Sequence, residues 1–264
     1  MGITKSHPVG APNWFELATT DQQGAKAFYE ALFGWHASDK PISDGEHYTI
    51  FEYEGAEVAA CYSMMPDQIE MGVPPHWGIY FRVEDCDASA ARAVELGGKL
   101  LAEPFDVMQH LRMAVIAAPD GAAFMLAQPR EHPGVGRIRE DNAVTWVELA
   151  TRDLAGSESF YSQMFDWTID EHQNAPVAYR LIGDKTSECG NFGGLLKMSE
   201  EWGQVPPHWS IYVQVQDVDA TLAKAVELGG RINVPGFDAP GVGRIGQFAD
   251  PAGAWVYVIK LEPA

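Results

Sequence analysis

The chain has 264 residues, 46% of them hydrophobic and 21% charged, which fits a folded globular protein and excludes a disordered, collagen-like or coiled-coil chain. The formal net charge is −19, with the acidic excess spread over both halves, so neither nucleic acid nor an anionic membrane surface is an expected partner. Cys61, Cys86 and Cys189 lack paired spacing, and no apolar leader or membrane-length run is present, so a cytoplasmic protein without disulfides is predicted.

In chain order, the segment WFELATTDQQGAKAFYEALFGW, beginning near residue 13, reads as strand, turn and helix. Phe15 and Leu17 alternate with Trp14, Glu16 and Ala18 at strand period, while Ala25, Phe28, Tyr29, Leu32 and Phe33 recur at helical spacing. Asp21 stands where a helix N-cap is expected and Gly34 where the helix stops. Short alternating strands such as YTIFEYEG follow. From His76 the same grammar returns: a strand, Asp85 or Asp87 as cap, an Ala-rich helix, Gly97-Gly98 as terminator, then strands through RMAVIAAPDGAAFMLAQ. Pro, Gly and charged residues at 128–142 mark a linker.

Beyond that linker the sequence starts again. WVELATRD (Trp146 to Asp153) repeats WFELATTD (Trp14 to Asp21) at an offset of 132 residues. PPHWSIYVQVQDVDA from Pro206 repeats PPHWGIYFRVEDCDA from Pro74 at the same offset. A self-similarity held over several segments is the mark of tandem duplication. The halves are 1–132 and 133–264, and a β-α-β-β-β unit occurs four times, near 13–66, 76–129, 145–198 and 208–260.

Four such modules, with W-x-E-L-x-T-x-D opening each half and APDGAA or DPAGA before the last strands, resemble the vicinal oxygen chelate superfamily. That group includes glyoxalase I, bleomycin-resistance proteins and extradiol dioxygenases, and the chain is most similar to its tandem two-domain glyoxalase-like members. The resemblance implies an α+β fold of two tandem glyoxalase-like domains. In each, paired modules curl a mixed sheet into a U, with helices on the convex face and a ligand site on the concave face. It leaves open whether neighbouring modules pair or the first pairs with the fourth.

Strand parity then sorts the side chains. Trp14, Glu16, His76, Tyr80 and Met125 fall on the concave face of the first half. In the second half Trp146, Glu148, His208, Ser210, Tyr212, Trp255 and Tyr257 do so. Metal-dependent members of the superfamily place ligands seven residues before the Asp that opens the first helix, on the next long strand, and six after the Pro of the last turn. Those positions hold Trp14, Gly78 and Met125 here, and Trp146, Ser210 and Tyr257 in the repeat. None is a usual ligand for Mg, Zn, Mn or Fe, so no metal and no other cofactor is expected, with a shifted site of His76 and Glu16, or His208 and Glu148, as the exception.

The remaining concave residues suit proton transfer. Glu16 and Glu148, flanked by Trp, are candidate general bases or, alternatively, structural ion-pair partners. His76 and His208 are candidate acid/base groups at the rim, or caps on a backbone carbonyl. Tyr80 and Tyr212 are candidate donors to a substrate oxygen. Arg112 and Arg244, read as lying in loops that enter strands, are candidate anchors for a carboxylate or enolate, or members of internal ion pairs. Trp14, Trp146, Met125, Trp255 and Tyr257 form the expected lining.

The function expected is lyase, isomerase or tailoring chemistry on a small oxygenated organic molecule. The alternative is non-catalytic sequestration of a cationic ligand of the bleomycin-resistance type, and an Fe(II) extradiol dioxygenase ranks third. The only expected partner is a small molecule, with the chain a monomer or homodimer.

Overall fold

The structure is a computed structural model, and residues 3–43, 45–173, 177–185 and 190–262 are described. The first module runs β1 (Pro12–Thr19), α1 (Gln22–Phe33), β2 (His36–Ser43), β3 (Glu46–Tyr53) and β4 (Ala56–Ser63). A short helix α2 (Pro66–Glu70) leads into the second: β5 (His76–Arg82), α3 (Cys86–Glu95), β6 (Lys99–Val107), β7 (Leu111–Ala117) and β8 (Ala123–Pro129). The third comprises β9 (Val144–Thr151), α4 (Leu154–Phe165), β10 (Thr168–Glu171), β11 (Tyr179–Gly183) and β12 (Asn191–Lys197). After a 3-10 turn (Glu200–Trp202) come β13 (His208–Gln214), α5 (Val218–Glu227), β14 (Arg231–Ala239), β15 (Gly243–Ala249) and β16 (Trp255–Leu261).

Local chemistry sets the helix limits. Asp21 accepts from the Gly24 N–H and Asp153 from the Gly156 N–H, so each half opens its first helix with the same side-chain cap. Asp85, not Asp87, caps α3, as Asp217 caps α5. Gly34 ends α1 at φ +72, where its N–H bonds the Glu30 carbonyl.

Neighbouring modules pair. The first sheet has the order β2-β3-β4-β1-β5-β8-β7-β6 and the second β10-β11-β12-β9-β13-β16-β15-β14. At each centre two module-opening strands run antiparallel, with Glu16 opposite Gly78 and Glu148 opposite Ser210. Phe15 and Leu17 are fully buried on the helix side, as the alternation predicts.

The helices lie between the two sheets and serve both. Phe28 and Phe33 of α1 pack on Phe248 of β15, with ring centroids 5.8 and 6.3 Å apart. Phe160 and Tyr161 of α4 pack on Phe124 of β8 at 6.2 and 5.5 Å. Buried polar groups cross the same seam: Tyr29 donates to Asp250 at 3.0 Å and the Trp167 indole to the Gly10 carbonyl at 2.9 Å. Because the helix-bearing faces meet, the concave faces turn away from each other. Cys61 and Cys86 are buried free thiols, and burial pushes Cys61 up to about 12; Cys189 lies outside the described residues. Among the described residues no helix is long and apolar enough to cross a membrane.

Candidate functional site

Each concave floor centres on a glutamate held between two tyrosine hydroxyls. In the first half, Tyr48 of β3 donates to Glu16 at 2.5 Å and Tyr80 of β5 at 3.0 Å, while the Trp14 indole N–H donates to the Tyr48 oxygen at 2.9 Å. In the second, Tyr179 of β11 and Tyr212 of β13 each donate to Glu148 at 2.8 Å, and the Trp146 indole donates to Tyr179 at 3.0 Å. Burial raises the pKa of both carboxyls, and the tyrosine hydrogen bonds oppose that rise without cancelling it. The four tyrosines are themselves pushed up by burial and then by the adjacent carboxylate, so they remain protonated donors.

Around this shared motif the two floors differ. In the first, Trp14 is 5% exposed and His132 of the linker stands edge-on to it, with ring centroids 4.5 Å apart. The Met125 methyl covers Gly78 so closely that a Cβ there would lie 2.2 Å from it. In the second, Trp146 and Trp255 are half-buried. Tyr257, the counterpart of Met125, is drawn aside to stack on Tyr212 at 4.4 Å.

His76 and His208 begin β5 and β13, each with Nδ1 2.8 Å from the carbonyl of the proline two residues earlier. They stand as carbonyl caps at the rim, two residues along the strand from the positions opposite Glu16 and Glu148. His208 packs edge-on to Trp255, and burial lowers its pKa.

Of the two expectations for the arginines, the internal ion pair is what the structure shows, while their placement in loops is corrected. Arg112 and Arg244 lie within β7 and β15 on the helix side, not in loops at the ligand face. Arg112 binds Asp87 of α3 with two nitrogens, at 2.6 and 2.7 Å, and Asp106 of β6 at 2.9 Å. Arg244 does the same with Asp219 and Asp238. Each guanidinium pins a helix to its sheet and takes no part in the concave floor.

The donor set does not fit the superfamily's divalent metal. An indole, a glycine and a thioether occupy the ligand positions of the first half, and an indole, a serine and a phenol those of the second. Both oxygens of each glutamate already accept a tyrosine hydroxyl. Among the described residues no three His, Cys, Asp or Glu side chains cluster.

Tyr48 and Tyr179 are residues of the candidate site absent from the sequence expectations. Tyr48 opens the YTIFEYEG strand, whose alternation gives its face but not its contact with Glu16 two strands away. Gln247 of β15, opposite Tyr257, was likewise missed.

Two pairs of βαβββ modules, each building one eight-stranded sheet with a hydrogen-bonded floor opposite its helices, define a tandem paired-module fold with outward-facing sites. The chain belongs to the Glyoxalase/Bleomycin resistance protein/Dioxygenase superfamily, whose family model matches residues 11–126 and 143–258. It is 37% identical over 259 residues to "Putative glyoxylase CFP32" of Mycobacterium tuberculosis, covering 96% of each chain. It is 32% identical over 280 residues to the anthracycline biosynthesis protein DauV of Streptomyces sp. strain C5, covering 97% of this chain and 94% of that one. Among solved structures, the Mn(II)-bound glyoxalase from Novosphingobium aromaticivorans superposes with a TM-score of 0.66 at 15% identity, over 96% of this chain and 83% of that one. An extradiol ring-cleaving dioxygenase from B. fuscum also gives 0.66, at 14% identity over 99% and 75%. At these identities the structural matches speak for the fold alone.

Proposed function

We propose that the chain binds a small oxygenated organic molecule on a concave face and that the tyrosine-clasped glutamate receives a proton from it. The observation that carries this reading is the direction of the hydrogen bonds. Both tyrosine hydroxyls donate to Glu148, and the Trp146 indole donates to Tyr179, so the network offers lone pairs and keeps no free N–H or O–H. With Arg244 committed to the helix side, this network favours a ligand with a proton to give to the carboxylate: an enol, a phenol, or a carbon acid beside a carbonyl. Desolvation makes the ionised glutamate a stronger base than one in water, which suits lyase, isomerase or tailoring chemistry that begins with proton abstraction. Glu16 sits in the equivalent network of Tyr48, Tyr80 and Trp14 in the first half. Relatives named "Putative glyoxylase CFP32" and "Anthracycline biosynthesis protein DauV" are consistent with an oxygenated small-molecule ligand.

The test is a panel of small 2-oxo aldehydes and hydroxyquinones, scored by tryptophan quenching and by deuterium exchange from solvent at the acidic position. Glu16→Gln together with Glu148→Gln is expected to abolish exchange; undiminished exchange removes the glutamates as bases. One observation favours a second reading: a buried carboxylate beside aromatic rings on a chain of net charge −19 also suits sequestration of a cation. Tight, salt-sensitive binding of a cationic glycopeptide without turnover would select it.

A further inference from the structure

We propose that the working ligand site lies in the second half alone, and that it takes one flat, fused-ring aromatic molecule with oxygen substituents. This rests on the reading above and goes beyond it by assigning the half, the stoichiometry and the ligand class.

Three side chains of the second floor are more than nine-tenths buried: Ser210 at 5%, Gln247 at 3% and Tyr257 at 8% exposure. Among the described residues their polar tips have no hydrogen-bond partner, yet none is sealed from the surface. Each side chain is buried while its polar tip stays open on one floor, so the three tips keep hydrogen-bonding capacity that a ligand can take up. Sheet register puts them together. Trp146 faces Tyr212, Tyr212 faces Tyr257, and Tyr257 faces Gln247, while Ser210 lies opposite Glu148. At the usual strand spacing that row spans about 14 Å, the reach of several fused rings with substituents at their edges. The half-buried Trp146 and Trp255 give it aromatic surface to lie on.

The first floor has lost each of these features. At the same repeat positions it carries Gly78, Val115 and Met125 in place of Ser210, Gln247 and Tyr257. The Met125 methyl fills the space over Gly78, and His132 covers Trp14.

The test uses the full chain and 1,8-dihydroxyanthraquinone as probe, with the hemithioacetal of methylglyoxal and glutathione as a non-aromatic comparison, by calorimetry and tryptophan quenching. One anthraquinone per chain is expected. Ser210→Ala with Gln247→Leu should weaken it about tenfold or more, as expected for two lost hydrogen bonds. Tyr257→Phe is the milder second variant, and near-UV circular dichroism checks that each variant is folded. Two molecules per chain, or unchanged affinity in the Ser210/Gln247 variant, overturns the assignment to the second half. No binding of the anthraquinone overturns the ligand class, and if Glu-dependent exchange persists with the hemithioacetal, the proton-transfer reading stands without it. If Glu16→Gln together with Glu148→Gln leaves exchange in the hemithioacetal undiminished while the Ser210/Gln247 variant weakens anthraquinone binding, the site stands and the proton-transfer reading falls.

Discussion

The ring of Tyr212 lies flat against that of Tyr257, with planes 6° apart, and its hydroxyl donates to Glu148 at 2.8 Å. Stacking fixes the phenol so that its only proton points at the carboxylate. Tyr212→Phe keeps the stack and deletes the hydrogen bond, leaving Glu148 with Tyr179 as its one donor. The expected cost is about 1–3 kcal/mol, because the group left behind is buried. The Glu148 pKa should also rise further, since Tyr212 is the largest influence holding it down. Urea unfolding and a carboxyl titration by NMR read the two effects; an unchanged titration would show that the hydroxyl does not act on Glu148.

Strand alternation made Glu16 and Glu148 legible, because only one register keeps Phe15 and Leu17 under the helices, even though both faces of the strand are buried. Tyr48 was hidden because β3 reaches Glu16 across β4, a relation set by sheet order that no local pattern carries. Its partner in the repeat lies 131 residues on, at Tyr179, so the 132-residue offset passes over the match. Gln247 was hidden for the opposite reason: its counterpart is Val115, and attention to shared residues passes over divergence. The arginines were misplaced because Asp87 lies 25 residues before Arg112, and only the folded helix brings it there. Module pairing was illegible because helices that touch both sheets bury the same residues under either arrangement.

Arg244→Met tests the corrected placement. Removing the guanidinium frees Asp219 and Asp238 and loosens α5 on its sheet, so the melting temperature should fall. Affinity for the anthraquinone probe should stay unchanged, because the side chain lies on the opposite face. Loss of binding without loss of stability would return Arg244 to the ligand face.

The pH dependence of stability has a definite sign. Burial holds the folded Glu148 carboxyl above 4.5, its value in an unfolded chain. A carboxyl with a raised folded pKa binds its proton more tightly folded than unfolded. Its stabilising contribution is therefore complete below about 4.5 and is lost as the pH rises through the folded value. Measured against Glu148→Gln by urea unfolding, the wild-type chain should lose relative stability from about pH 4.5 upward and then level off. A stability difference that grows with pH over that window would mean that hydrogen bonding outweighs desolvation at Glu148.

The shared helical layer predicts that the two sheets unfold as one. Phe248 is fully buried in the second sheet, yet its ring packs on Phe28 and Phe33 of the first helix. Phe81 of the first sheet meets Trp209 of the second at 5.2 Å. Neither half can expose its convex face without stripping apolar cover from the other. Phe248→Ala should cost about 3–5 kcal/mol and destabilise both halves together. Calorimetry and urea unfolding followed by fluorescence and by circular dichroism should show coincident single transitions in both chains. A variant in which one half melts while the other persists would show that the helices belong to their own sheets and that the seam is a contact between independent domains.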